Sequence, residues 1–474
     1  MKRQILFNSH VTYYCFGKDF QLSESELLKK AWMLAIETLS WIELRKLSER
    51  LALARTMEQL DIRNSNTVGL AHRLVCETVR RQNFIDKFIN NTLKPYSISR
   101  FNLGVQAFLR LYVYQTRIVK NWSQIDIEEA EKIARLARSI LGWKTIQKVE
   151  HVLGLLLTQK PASILKGVND GERVSLLTFH PLWFVKYCFK LFGRKEALAM
   201  LEGNMQKLPT YIRLNTIKAD ENEILKKLTE DRIEVERVKL LKHTYFVVSI
   251  KQALTKTKTF RDGLFYIQGK ASCFVAEAAN PKPEMTLLDI CAAPGAKTTY
   301  LAQLMQNRGI IYSIDYSRRR MAIWKNHVAR MGVRTTVPIL FDAYNPLPLK
   351  IEADIAILDP PCTSTGAFRK FPSAKWRLTQ RSIDKMGKIQ WKMINNCAEK
   401  VKSGGALIYS TCSITVEENE KLIERFLKWH PNFSLVEIKP KIGLPGLIGL
   451  RECQRLYPHI HQCTGFFIAK LLKK

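Results

Sequence analysis

The chain has 474 residues, 46% of them hydrophobic and 25% charged, which is enough for two or three domains with cores of their own. No apolar run approaches the roughly 18 residues that span a bilayer. The opening MKRQILFNSHVTYYCF lacks the h-region and cleavage site of a signal peptide, so membrane and secreted classes are set aside and a cytoplasmic location is expected. With 75 Lys and Arg against 43 Asp and Glu, a formal charge of +32 points to a polyanionic partner, nucleic acid ahead of an anionic membrane.

The basic excess is spread along the chain: residues 1–160 hold 25 basic and 15 acidic side chains, and the remainder is also strongly basic. The stretch Gly366–Lys402 is densest, with ten Lys or Arg and two acids. Ten cysteines run from Cys15 to Cys463 without a C-x-x-C pair, the usage of reduced intracellular thiols rather than a disulfide framework.

From Ser23 the pattern is helical. SESE offers a capping box between Ser23 and Glu26, and Leu28, Ala31, Trp32, Ala35 and Leu39 recur on one face. The period returns in Ile127, Ala130, Ala134, Ala137 and Leu141, so residues 1–165 read as an all-helical bundle. VNDGER, Val168–Arg173, reads as a linker. Residues 175–270 read as a small α+β domain with YIRLNTIK and YFVVSI as strands. In residues 271–474, TLLDIC, IIYSID, TTVPIL, ADIAILD and ALIYST alternate with amphipathic stretches, among them Arg318–Met331 and Ile383–Val401. Such alternation predicts an α/β Rossmann-like domain, a parallel sheet with helices on both faces. NFSLVEI and GFFIAKL add two strands at its end.

The first of these strands ends in LLDICAAPGAKTTYLAQLM, a turn of small residues before a helix. Small side chains let backbone N–H groups approach a ligand at a helix N-terminus. The turn is neither G-x-G-x-x-G nor a P-loop, which weakens dinucleotide and phosphoryl-transfer readings. Asp315, Asp342 and Asp359 then follow three successive strands, facing the crevice where such sheets bind ligands. Acids without phosphate-binding signals suit an adenosine bearing a positive centre, and S-adenosylmethionine is that ligand.

Cys362 and Cys412 leave the fourth and fifth strands at the same edge, close to Asp359. A thiol, a carboxylate and a methyl donor together address one problem: carbon 5 of a pyrimidine is too weak a nucleophile. A thiolate adding to carbon 6 activates it, an acid at nitrogen 3 stabilises the resulting charge, and a second thiol helps when the proton on carbon 5 must leave.

At these residues the chain resembles the Nop/Sun family of RNA cytosine-5 methyltransferases. The resemblance runs in order through DICAAPGAKT, SIDYSRRR, Asp342, DPPCTSTG, FPSAKW, STCSITVEEN, RLYPH and GFF. HPLWFVKY, YIRLNTIK and YIQGKAS are similar to that family's amino-terminal RNA-binding subdomain, and LAHRLVCETVRRQNFIDKFI with LGVQAFLRLYVYQ resembles a NusB-type RNA-binding domain. The resemblance implies Cys412 as nucleophile, Cys362 as the residue aiding release, and Asp359 at the target base. It implies a cofactor cradle of Cys291, Ala292, Ala293, Pro294, Gly295, Ala296 and Lys297, with Asp315 at the ribose, Asp342 at the adenine, and Arg320 and Asp359 beside them.

Two positions depart from the family pattern: Ala296 stands for a usual glycine, and Gly269-Lys270 follows Gln268 where an acid is usual. The partner implied is RNA, rRNA ahead of tRNA, with no membrane, no obligate protein partner and a monomer expected. Competing readings are a DNA-type cytosine methyltransferase with Cys362 attacking, and a non-catalytic RNA-binding assembly factor. Cys453, His459, His461 and Cys463 do not space as a zinc site, and no metal is expected.

Overall fold

The computed structural model describes residues 23–122 and 125–474. The opening segment weighed above as a signal peptide, with Cys15, lies outside them. The chain divides into two compact units, Met1–Leu198 with Arg369–Arg377, and Ala199–Phe368 with Leu378–Lys474. The first division falls within the helix Leu182–Gly203, which is broken at Gly193.

The first unit is helical, as its periodicity predicts. Ser23 caps the helix Glu24–Arg45, but only half of the expected capping box forms, because the Glu26 carboxylate faces Lys30 at 2.9 Å instead of turning back. Ala31, Trp32, Ala35 and Leu39 are buried, together with Leu74, Phe88, Phe108 and Tyr112 from later helices. VNDGER is not a linker. Asn169 and Glu172 form a reciprocal capping box that opens the helix Asp170–Thr178, so the polar composition serves a helix start.

The last piece of this unit comes from far along the chain. Lys375, 1% exposed, donates from its side chain to the carbonyls of Arg80, at 2.7 Å, and Phe179. The Trp376 indole donates to the Val79 carbonyl at 2.6 Å, and Arg377 to that of Lys46 at 2.9 Å. Val79 and Arg80 end the helix Ser65–Arg80, where carbonyls lack intrahelical partners. Lys375 and Trp376 supply them.

The second unit holds two sheets. The smaller contains β1 (Tyr211–Leu214), β2 (Ile233–Arg237), β3 (Thr244–Ile250) and β4 (Phe265–Ile267), all antiparallel in the order β2-β3-β1-β4. Arg213 of β1 is fully buried. It donates to Gln268 at 2.9 Å and Thr299 at 2.8 Å, and packs 4.6 Å from the Tyr300 ring centre. These contacts tie the small sheet to the helix Ala296–Leu304.

The larger sheet contains β5 (Thr286–Ile290), β6 (Ile310–Asp315), β7 (Thr336–Leu340), β8 (Ala353–Leu358), β9 (Val401–Thr411), β10 (Phe433–Val436), β11 (Leu444–Pro445), β12 (Gln454–Leu456) and β13 (Phe466–Lys473). Its order is β11-β12-β13-β9-β8-β5-β6-β7, with β10 on β13. β5 to β9 are parallel, but β13 runs antiparallel to β9, β10 and β12. The sheet is therefore mixed, which period-2 patterning cannot foretell.

Burial on both faces explains the apolar strand sequences. Leu287, Ile355, Ile357 and Ile408 pack with Tyr300, Trp324 and Met331 on one side, whereas Leu288, Ala356, Leu358 and Leu407 pack with Ile394, Ile423 and Phe426 on the other. Each fully buried Leu or Ile contributes about 1.5–3 kcal/mol. The strand order reverses between β5 and β8, so the crevice at their carboxyl ends receives the loops that follow.

Candidate active site

The loop after β5 is built for close backbone approach. Cys291 has φ +64° and Gly295 φ +102°, and a Cβ at Gly295 would come 3.1 Å from the Trp324 ring, so position 295 demands glycine twice over. Ala292 and Ala293 are buried. Ala296 starts the helix Ala296–Leu304 and lies outside the positive-φ residues, which is why a methyl is accepted there.

Asp315 ends β6 with its carboxylate buried. It accepts from the Ala293 amide at 3.3 Å and the Ser317 amide at 3.1 Å, and pairs with Arg320 at 3.0 Å. Arg320 also donates to the Ala293 carbonyl. Acid, arginine and loop thus form one unit. Asp342, exposed after β7, accepts from the Tyr344 amide at 3.0 Å as a turn former.

Asp359 follows β8. Its carboxylate meets the Lys297 ammonium at 2.5 Å, with side-chain exposures of 28% and 12%, and the Ser410 hydroxyl at 3.4 Å. Burial pulls the Lys297 pKa down, but the charges of Asp359, Asp289 and Cys412 outweigh it and hold the ammonium above the ordinary lysine range. Lys297, grouped by sequence with the cofactor cradle, therefore directs its charge to Asp359.

Two residues beyond Ser410, the Cys412 sulfur lies 3.3 Å from that of Cys362. The Ser364 hydroxyl is 3.3 Å from Cys412 Sγ and 3.9 Å from Cys362 Sγ. The hydrogen bond to Cys362, aided by Ser364, draws the Cys412 thiol below its ordinary pKa, and the same S–H···S contact, with burial, pushes Cys362 well above. Of the two, Cys412 is the thiol that ionises the more easily. Cys291 stays a neutral thiol because burial, then the charges of Asp359 and Asp315, push it up.

Residues that sequence reasoning missed hold this arrangement. Glu418, fully buried, accepts from the Thr363 amide at 2.8 Å and hydroxyl at 2.5 Å, the Ser413 hydroxyl at 2.6 Å, the Thr415 hydroxyl at 2.7 Å and the Gln390 amide at 3.0 Å. It joins the residue after Cys362 to the residue after Cys412. Asp289 accepts from Thr298 at 2.6 Å, Thr298 in turn accepts from the Trp324 indole at 3.1 Å, and burial pushes the Asp289 carboxyl up to about 6. Both acids lie inside quoted motifs, but no spacing marks them as interior anchors.

Among the described residues, no three His, Cys, Asp or Glu gather as a metal site, and no helix is long and apolar enough to cross a membrane. His461 accepts from the Tyr457 amide at 2.9 Å, and Cys453 and Cys463 pack in separate cores.

Three sequence families match successive parts of the chain: NusB at residues 29–140, a ferredoxin-like domain of RsmF/B-like methyltransferases at 180–248, and 16S rRNA methyltransferase RsmB/F at 276–472. A probable ribosomal RNA small subunit methyltransferase B of Bacillus subtilis is 28% identical over 93% of this chain and 98% of its own. A tRNA (cytosine(72)-C(5))-methyltransferase of Pyrococcus horikoshii is 38% identical over 47% of this chain and 55% of its own. The crystal structure of a methyltransferase homolog from Pyrococcus horikoshii is 31% identical, covering 65% of this chain and all of that one, with a TM-score of 0.59. Matched along its length and in the order of its parts, the chain belongs to the RsmB/F methyltransferase family.

Proposed function

We propose that the chain uses S-adenosylmethionine to methylate carbon 5 of a cytosine in RNA, small-subunit rRNA being the substrate, with Cys412 as nucleophile. Residues 1–165 and 175–270 engage RNA and residues 271–474 carry out the chemistry. The observation that carries the reading is the pair of thiols 3.3 Å apart, unequally hydrogen-bonded, next to a partly buried Lys297–Asp359 pair.

The residues present fit the cofactor: carboxylates rather than cations end β6, β7 and β8, beside a loop of small residues with two positive φ angles. Cys291, Ala292, Ala293, Pro294, Gly295, Ala296 and Lys297 would line it, with Asp315, Arg320, Asp342 and Asp359. When bound, it supplies an electrophilic methyl on a sulfonium.

The chain's own residues do the rest. The Cys412 thiolate adds to carbon 6, forming a C–S bond and leaving carbon 5 electron-rich. The Asp359–Lys297 pair meets nitrogen 3 and delivers a proton as charge develops there. Once Cys412 is bonded to carbon it is neutral, so the thiolate that kept Cys362 protonated is gone. Cys362 then releases its proton to solvent and takes the carbon 5 proton in its place, and the C–S bond breaks to return the Cys412 thiolate as nitrogen 3 gives its proton back to the Asp359–Lys297 pair. The order of events follows from the coupling between the sulfurs.

The test is a denaturing gel of full-length protein incubated with RNA and S-adenosylmethionine. Cys412→Ala should give neither methylation nor adduct. Cys362→Ala should methylate once and stay bonded to its RNA, as a slow-migrating band. The reverse pattern makes Cys362 the attacking thiol. A tRNA substrate is the second reading, favoured by the 38% identity to the Pyrococcus enzyme in the methyltransferase part. Bisulfite mapping of rRNA and tRNA from a deletion strain separates the two.

A further inference from the structure

Ser364 lies between Cys362 and the turn back to the sheet, and has φ +54°, a left-handed conformation that a serine enters only when its surroundings impose it. The surroundings do impose it. Thr363 is bound to Glu418 through both amide and hydroxyl. On the other side, the Thr365 hydroxyl contacts Ser413 at 2.9 Å and accepts from the Ile414 amide at 3.0 Å. The Gly366 amide donates to the Cys412 carbonyl at 3.0 Å, and the Ala367 amide to the Ser364 carbonyl at 2.8 Å. The loop is thus laced to the strand end that carries Cys412, and the one side chain left facing both sulfurs is Ser364, at 3.3 and 3.9 Å.

A hydroxyl here has a definite use. As placed, the Cys412 thiol donates to the Ser364 oxygen at 3.3 Å; once that sulfur is ionised it can only accept, and a rotation of the hydroxyl hydrogen alone turns Ser364 into a donor that stabilises the charged form over the thiol. Cysteine reactivity follows the thiolate fraction. The left-handed turn fits this purpose, since it directs a side chain of only one rotatable bond at the sulfur.

We propose that Ser364 is the hydrogen-bond partner that readies Cys412 for attack, accepting from its thiol and turning to donate to the sulfur when the proton leaves, its hydroxyl held there by the threonines clamped on either side. The proposal rests on the reading of Cys412 as nucleophile. Because the hydroxyl reaches both sulfurs, it also favours charge on Cys362 once Cys412 is bonded to the base.

The test needs no RNA. Full-length wild type, Ser364→Ala and Ser364→Gly are pulsed with iodoacetamide from pH 6 to 10, and labelling of the Cys412 peptide is quantified by mass spectrometry. Both variants lack the hydroxyl, but only glycine adopts the left-handed conformation freely, so the pair separates hydrogen bonding from backbone strain. The expected result is an upward shift of the Cys412 labelling midpoint by about one pH unit in both, about tenfold less thiolate on the acid side. An unchanged midpoint in both, or a shift in Ser364→Ala alone, overturns the proposal. Failure of the underlying reading shows separately, as an RNA adduct that persists in Cys412→Ala.

Discussion

Replacing Glu418 by Gln exchanges one carboxylate oxygen for an NH2 in a group with no exposed surface, and the structure dictates which oxygen. Oε1 accepts from two N–H groups, the Thr363 amide and the Gln390 side chain, which cannot act as acceptors. Oε2 accepts from the hydroxyls of Thr363, Ser413 and Thr415, which can reverse. The new carbonyl must therefore take the Oε1 place and the NH2 the other, where two N–H groups meet three hydroxyls and one hydroxyl is left over. Four retained bonds lose charge assistance, about 0.5–1 kcal/mol each, and the orphaned hydroxyl costs about 1 kcal/mol more. An amide also escapes the desolvation that a buried carboxylate bears, so the net loss should be about 2 kcal/mol. Glu418→Ala, which orphans all five donors, should lose about twice that. Hydrogen exchange resolved to the peptides containing Thr363 and Ser413 reads the effect as protection about 30-fold lower in Glu418→Gln. Wild-type protection there, or equal losses in the Gln and Ala variants, would refute the assignment of Glu418 as the joint between the cysteine loops.

Two further outcomes are expected. Affinity for RNA should fall steeply with salt, by on the order of tenfold to a thousandfold between low and physiological salt if about four to eight phosphates are contacted; a filter-binding series showing a flat dependence contradicts this. Burial raises the Asp289 carboxyl to about 6 in the folded protein from an ordinary 3.8, so the folded state holds the proton more tightly and stability falls as pH rises through that window. Asp289→Asn, whose carbonyl can still accept from Thr298, should remove a fall of about 2 kcal/mol between about pH 4.5 and 7.5, seen as denaturation midpoints that drop less over that range than those of the wild type. A slope equal to wild type counts against it.

The sequence made the parallel half of the large sheet legible because each strand is apolar on both faces and ends in an acid or a small-residue turn. Leu287 and Leu288, packing on opposite faces, are one instance. The residues Ile233–Arg237 and Phe265–Ile267 carry no strand pattern of their own. IEVER is mostly charged and three-residue FYI shows almost no period, and both are strands only because β3 and β1 pair with them. The antiparallel return of β13 depends on a pairing partner some sixty residues away, which local pattern does not encode. At the site, the two thiols and three acids stood out by chemical type. Lys297 groups by motif position with the cofactor cradle, and its pairing with Asp359 is not marked by any spacing. Ser364 and Glu418 act through long-range geometry that no spacing reveals.

The completion of the helical unit by Arg369–Arg377 fixes an order of events during synthesis. The carbonyls of Val79, Arg80 and Phe179 leave the ribosome long before Lys375 and Trp376, their side-chain donors. At about 5–20 residues per second, the chain beyond Leu198 takes roughly 10–40 s to reach that segment. The nascent helical unit must wait that long for its helix ends to be satisfied, with the catalytic loop already translated. A gene fragment ending at Leu198 encodes an incomplete unit, and adding the nine-residue segment in trans should restore what translation supplies late.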